Sequence, residues 1–364
     1  MTQASRIQHI DAWRCIAVLM VLVHHVTSYS HPWYGGHVWA GILSRSWKFG
    51  HLGVLIFFCI SGYVICRGLV REQTTARKVD IREFYLRRFF RIVPPLGLYM
   101  LALLFFSLSG AIDVQGRQFA RAALFTCNLE AACGWYLAHT WSLAYEEQFY
   151  LVFPFVFVLS TIMGGRRTLL ISTLATMGGA LIAGRSGFDH VAEFATVFSY
   201  MLTGCVAGAY WDDIAPHLRK IALPSWAALC CAIFVLGLVV TLPYTLQRLV
   251  DVMVVPVLIC AAVLATPVSN RLVGGLFLNR TVCHLGKISF TVYLWQQLAT
   301  ASHPEMPPFY VLIALGGVFL LAFASYQYVE LPLMRFASAR SAVKPAQSQT
   351  DPETIIGESV SLST

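Results

Sequence analysis

Hydrophobic residues run along this chain in long blocks, punctuated by short segments that carry most of the charge. Blocks of roughly twenty apolar residues read as membrane-crossing helices. Ten are expected, over 10–28, 51–67, 92–109, 143–163, 168–184, 191–210, 222–241, 249–266, 284–301 and 309–329. The fold class is therefore all-α, a polytopic integral membrane protein of about ten transmembrane helices. Two connections differ from the rest: 67–91 holds eight Lys and Arg, whereas 110–140 holds only Arg117 and Arg121. With the N-terminus in the cytosol, nineteen Lys and Arg fall on the inner side and six on the outer, with Arg14 left inside a span. The positive-inside rule thus places both termini in the cytoplasm. Residues 1–340 form one transmembrane domain, and the polar tail 341–364 is expected to be a disordered cytosolic segment.

Composition narrows the classes further. Only 12% of the 364 residues are charged and 57% are hydrophobic, far from a soluble domain. The net charge of +8 follows from topology, so no nucleic-acid partner is expected. A cleavable signal peptide is not expected either, because the first apolar run carries Arg14 and His25 and lacks a small-residue cleavage site. The ten cysteines show no CxxC pair or Cys/His cluster at metal spacing, so no metal site is expected. Cys127 and Cys133 lie in a loop assigned to the outside, where an oxidising compartment leaves a disulfide open to them.

The first span, IDAWRCIAVLMVLVHH, places an arginine and a histidine within the apolar block. Ionisable groups at membrane depth are costly and point to function. At 100° per residue, the eleven steps from Arg14 to His25 leave the two side chains within roughly 20° of one another, about 16 Å apart along the axis. His24 falls about 80° away from Arg14 by the same arithmetic. One face thus carries a guanidinium near the cytosolic side and an imidazole toward the outer side.

Four other stretches place polar residues where a purely structural span does not require them. GHLGVLIFFCISGY, 50–63, has glycines and Ser61 that suit close helix packing. FYLRRFFRIVPP, 84–95, gathers Arg87, Arg88 and Arg91 at the mouth of the third span. These are either phosphate anchors for a cofactor or topology-setting, lipid-facing charges. HTWSLAYEEQFYLVFP, 139–154, puts Glu146 and Glu147 near a helix start, where helix capping and catalytic orientation of His25 are both open. GKISFTVYLWQQL, 286–298, brings Gln296 and Gln297 to mid-membrane, where an interhelical clasp would satisfy them, and Glu330 is expected to be interfacial.

In order and spacing these stretches, ending in YVELP, resemble the acyltransferase-3 family of polytopic bacterial membrane enzymes, typified by polysaccharide O-acetyltransferases. The family's arginine–ten residues–histidine signature falls on Arg14 and His25, its arginine pair on Arg88 and Arg91, and its tryptophan-serine-leucine and acidic motif on Trp141, Ser142, Leu143, Glu146 and Glu147. Leu55 stands where members often carry a polar residue, and Gln296 where many have histidine, which concentrates the acid–base work on His25. The esterase-like domain fused to some members is not expected here.

The resemblance implies transfer of an acyl group, most often acetyl, from cytosolic acyl-CoA to a hydroxyl of a cell-surface glycan or lipid-linked saccharide. The protein would be a multi-pass component of the bacterial inner (cytoplasmic) membrane, in contact with membrane lipids. Arg87, Arg88 and Arg91 would bind the CoA phosphates, with Arg14 orienting the donor. His25 would be the base or acyl relay, oriented by Glu146 or Glu147. The rival class is a secondary transporter or exporter using buried Arg, His and Glu as a proton relay. It lacks support from repeated halves with matching broken helices.

Overall fold

A computed structural model describes residues 3–30, 47–76, 79–129, 133–220, 243–265, 275, 277, 279–302, 306–307 and 309–342. Every regular element among them is helical. Eight helical stretches there are long and apolar enough to cross a membrane. The bundle starts with α1 (Gln3–His25), α2 (Trp47–Ala76) and α3 (Ile81–Leu108). Two short helices, α4 (Gly116–Ala123) and α5 (Gly134–Ala138), lead into α6 (Thr140–Met163). Next come α7 (Arg166–Arg185), α8 (Asp189–Ala209), α9 (Trp211–Lys220), α10 (Tyr244–Leu249) and α11 (Val255–Ala265). The chain closes with α12 (Arg280–Lys287), α13 (Ser289–Thr300), α14 (Phe309–Ser325) and α15 (Leu331–Ala342).

Two expected spans fare differently from the rest. The one at 222–241 lies outside the described residues. The one at 284–301 divides at Ile288 into α12, with Asn279 capping the Thr281 and Val282 amides, and the buried α13. A hydropathy window averages over such a break, because α12 contributes apolar residues on one side only. It packs that side on α1.

The bundle centres on α1 and α2. α1 packs against α2, α12 and α13, and α2 against α8. These contacts are made backbone to backbone at glycines. A Cβ on Gly62 would overlap the Met201 carbonyl, one on Gly204 the Cys59 carbonyl, and one on Gly286 the Asp11 carbonyl. The glycines of 50–63 are thus packing residues, as small residues at membrane helix interfaces commonly are. Gly62→Ala is expected to destabilise the detergent-solubilised protein by about 1–3 kcal/mol, the usual range for overpacking. Gly97→Ala, on a helix position with nothing within 4 Å of the added carbon, is expected to be neutral or stabilising. Thermal unfolding of the two variants side by side checks the contrast.

Between α3 and α6 the chain is stapled by a disulfide joining Cys127 and Cys133. Asn128 Nδ2 donates to Gln148 Oε1 at 2.9 Å, and Gln148 Nε2 returns a bond to Asn128 Oδ1 at 3.0 Å, tying the same loop to α6. At the other end of the chain, a wide π turn at Tyr326–Glu330 joins α14 to α15. Glu330 is buried within the bundle and hydrogen-bonded by Thr291. A π turn inserts an extra residue into the helical repeat, which shifts the phase of the residues around it.

Candidate active site

Arg14 and His25 face into two separate cavities of the bundle. The arginine chamber, about 70 Å³, is lined by Arg14, Ser61, Arg88, Arg91, Glu146 and Tyr150 among others. The histidine chamber, about 380 Å³, is lined by His24, His25, His51, Trp135, His139 and Trp141 among others. Val54 and Tyr293 belong to the walls of both, so they form the partition between them. A third cavity of about 410 Å³ is a groove holding Glu72, Arg87, Arg88 and Arg91 on one side and α15 residues Met334 and Ser338 on the other. It shares Arg88 and Arg91 with the arginine chamber. Groove, arginine chamber and histidine chamber therefore adjoin in series.

The three arginines of α3 do different things. Arg87 stays on the groove wall beside two carboxylates, 3.4 Å from Glu72 and 3.6 Å from Glu83. Arg88 lies over the Tyr150 ring at 4.7 Å and the Phe84 ring at 5.7 Å, a stacked setting suited to a planar guanidinium. Arg88 and Arg91, three residues apart on one helical face, look into the chamber. Arg14 joins them from α1, 4.0 Å from Asp11 one turn earlier. Against these three guanidiniums the lining supplies one carboxylate, Glu146. Ser61 Oγ donates to Glu146 Oε1 at 2.6 Å, so this serine, for which the sequence favours a close-packing role, fixes the chamber's acid.

Glu147 is one residue on, hence turned about 100° from Glu146 around the helix. It is not part of the chamber lining, and its Oε1 is buried with no hydrogen-bond partner among the described residues.

In the histidine chamber the expected carboxylate partner is not what His25 meets. His25 Nδ1 lies 2.9 Å from Gln296 Oε1. In this orientation of the amide its oxygen accepts, which corresponds to the Nδ1–H tautomer with Nε2 as the basic nitrogen. Gln296 reaches across from α13 as an interhelical clasp, and the expected pairing of His25 with Glu146 or Glu147 is not what forms. The reason is topological. Glu146 is held on the arginine side by Ser61, with the Val54–Tyr293 partition between the chambers.

His24 lines the same chamber as His25, their rings 5.5 Å apart, and is accommodated by the missing side chain of Gly50. His139, quoted in the sequence only as part of a motif, is buried at the chamber wall. Its carbonyl accepts from Tyr293 Oη at 2.8 Å, and Ser142 Oγ lies 2.8 Å from the same phenol. Those bonds hold the partition ring in place. Trp135 has no motif to signal it, and its edge faces the His25 ring at 5.9 Å.

A family model described as "Acyltransferase domain" matches residues 7–331. The chain is 24% identical over 388 aligned residues to O-acetyltransferase OatA of Staphylococcus aureus (strain MRSA252), an alignment covering 95% of this chain and 60% of that protein. It is 25% identical to O-acetyltransferase OatA of Staphylococcus aureus (strain NCTC 8325 / PS 47), with coverages of 90% and 57%. To peptidoglycan O-acetyltransferase OatA of Listeria monocytogenes serovar 1/2a the identity is 22%, with coverages of 92% and 57%. The chain therefore spans about three-fifths of the length of these relatives. No solved structure matches it.

Proposed function

Because this chain belongs to the acyltransferase family whose model spans residues 7–331, we propose that it is a bacterial inner-membrane O-acetyltransferase moving acetyl from cytosolic acetyl-CoA to a hydroxyl of a cell-envelope glycan. The names of its relatives support O-acetylation, and one of them points to peptidoglycan as the kind of acceptor. The observation that carries the reading is the serial arrangement of cavities: Arg88 and Arg91 are common to groove and first chamber, and Val54 and Tyr293 line both that chamber and the one holding His25.

In this reading the groove faces the cytosol. Arg87, Arg88 and Arg91 bind the CoA phosphates, which guanidiniums do through paired, charge-assisted hydrogen bonds. Arg14 orients the thioester at the partition, and Glu146 offsets part of the local positive charge while the site is empty. On the far side His25 Nε2 takes the proton of the acceptor hydroxyl as its oxygen attacks the thioester carbonyl carbon. The new C–O bond forms, the C–S bond breaks, and the proton passes on to the departing thiolate. If His25 instead carries the acetyl group transiently, radiolabel from acetyl-CoA alone will remain on the protein.

Binding of the donor to the native state should raise its apparent stability, by about 2.7 kcal/mol at a hundred times Kd. The test is acetyl-CoA-dependent thermal stabilisation in detergent, alongside acetyl transfer to a glycan acceptor. Arg88→Ala is expected to weaken apparent affinity by about ten- to a hundred-fold, the cost of a lost charged hydrogen-bond pair. Arg87→Ala, whose guanidinium is shared with Glu72 and Glu83, is expected to do less. Unchanged stabilisation in Arg88→Ala removes the phosphate-anchor role. Absence of thioester-dependent transfer by the unmodified protein removes the enzyme reading itself.

A further inference from the structure

The segment 133–136 is fixed at four consecutive residues. Cys133 is bonded to Cys127. Gly134 adopts a φ of +63°, and a Cβ there would come within 2.7 Å of the Gln118 amide, so the backbone is pressed onto α4 in a conformation suited to glycine. Trp135 Nε1 donates to the Gln297 carbonyl at 3.0 Å, locking the indole to α13. The Tyr136 carbonyl accepts from Tyr99 Oη at 2.7 Å, tying the next residue to α3. A five-residue helix does not need four separate ties to close a loop. What they hold in common is the Trp135 ring, set edge-on to His25 with an interplanar angle of 82°.

The rest of the chamber has a matching character. Across from Trp135 stands Trp141, stacked on His51 at 6.0 Å and 11°. Among the described residues the lining has imidazoles, indoles and amides but no Asp, Glu, Lys or Arg side chain. Such a chamber offers flat apolar faces and polar edges. At about 380 Å³ it is in the size range of small-molecule sites. A pyranose ring, with C–H bonds on its faces and hydroxyls around its edge, has complementary chemistry.

The geometry points to Trp135 as the acceptor-positioning residue: a rigidly tethered aromatic platform that sets an uncharged pyranose ring with one hydroxyl toward His25 Nε2. This rests on the acetyl-transfer reading and adds to it the class of acceptor moiety and the side chain that selects it.

The test compares acetyl transfer from acetyl-CoA to two acceptors, a β1,4-linked N-acetylhexosamine oligosaccharide and glycerol, as a ratio of kcat/KM. Trp135→Ala is expected to lower that ratio by about thirty-fold, the scale of losing a buried aromatic anchor. Trp135→Leu, which keeps bulk for the fold but not the π face, is expected to match it, and Trp135→Phe to retain most of the ratio. A side chain with only a structural role would lower both acceptors in parallel and leave the ratio where it was; that result, or an unchanged ratio in the Leu variant, overturns the assignment. An unmodified protein that acetylates neither acceptor overturns the acetyl-transfer reading instead.

Discussion

His25→Ala is expected to reduce acetyl transfer by at least about a thousand-fold while leaving a folded, membrane-inserted protein. The size follows from the number of tasks the residue carries. A positioned base contributes roughly 10²–10⁴-fold, and the ninth-span motif, where Gln296 stands, supplies no imidazole to share the task. The structural cost of losing the bond to Gln296 is modest, about 0.5–1.5 kcal/mol for a neutral hydrogen bond. Acetyl-ester formation at saturating donor, with thermal unfolding of the same preparation, separates the two. Gln296→Leu sharpens the test: it leaves the imidazole in place but frees its tautomer, so it should lower kcat by a lesser factor than His25→Ala. A fully active His25→Ala protein would remove the residue from the mechanism.

Arg14→Ala is expected to lower transfer by about 10²–10³-fold, the range for losing one preorganised electrostatic contact at the reacting centre. This variant needs a companion, because its partner Asp11 is only 5% exposed and one carboxylate oxygen already lacks a hydrogen bond. Removing the guanidinium leaves that carboxylate buried without its cation, which commonly costs about 3–5 kcal/mol. Arg14→Ala combined with Asp11→Asn is expected to regain stability without regaining transfer. If the double variant recovers both, Arg14 is a structural ion-pair partner and nothing more. Arg14→Lys is expected to recover little, since an ammonium reproduces neither the planar fork nor its reach.

How far the sequence carried these assignments varies with how local the signal is. The common face of Arg14 and His25 is a property of one helix and can be computed from spacing, and the two residues do line cavities on the bundle interior. The close-packing glycines are similarly local, needing only the absence of a side chain. The partner of His25 is not local: Gln296 is 271 residues away, and which polar group from which helix arrives depends on packing that no single stretch encodes. The same limit explains why both glutamates are expected at His25 although Ser61 holds Glu146 elsewhere. Trp135 was illegible for another reason, since its position comes from a disulfide, a glycine turn and two cross-helix bonds acting together.

The partition of Val54 and Tyr293 also has a bioenergetic consequence. On the route between the two chambers, the phenol's own hydrogen is committed to the His139 carbonyl, and its neighbour in the wall is a hydrocarbon. Ser142 Oγ, on the arginine side, lies 2.8 Å from the same phenol, so Tyr293 links a donor-side hydroxyl to an acceptor-side carbonyl. In the acetyl-transfer reading, that phenol is where a proton taken at His25 would cross toward a thiolate departing on the donor side, so the wall between the substrates would also meter the proton that joins their two half-reactions.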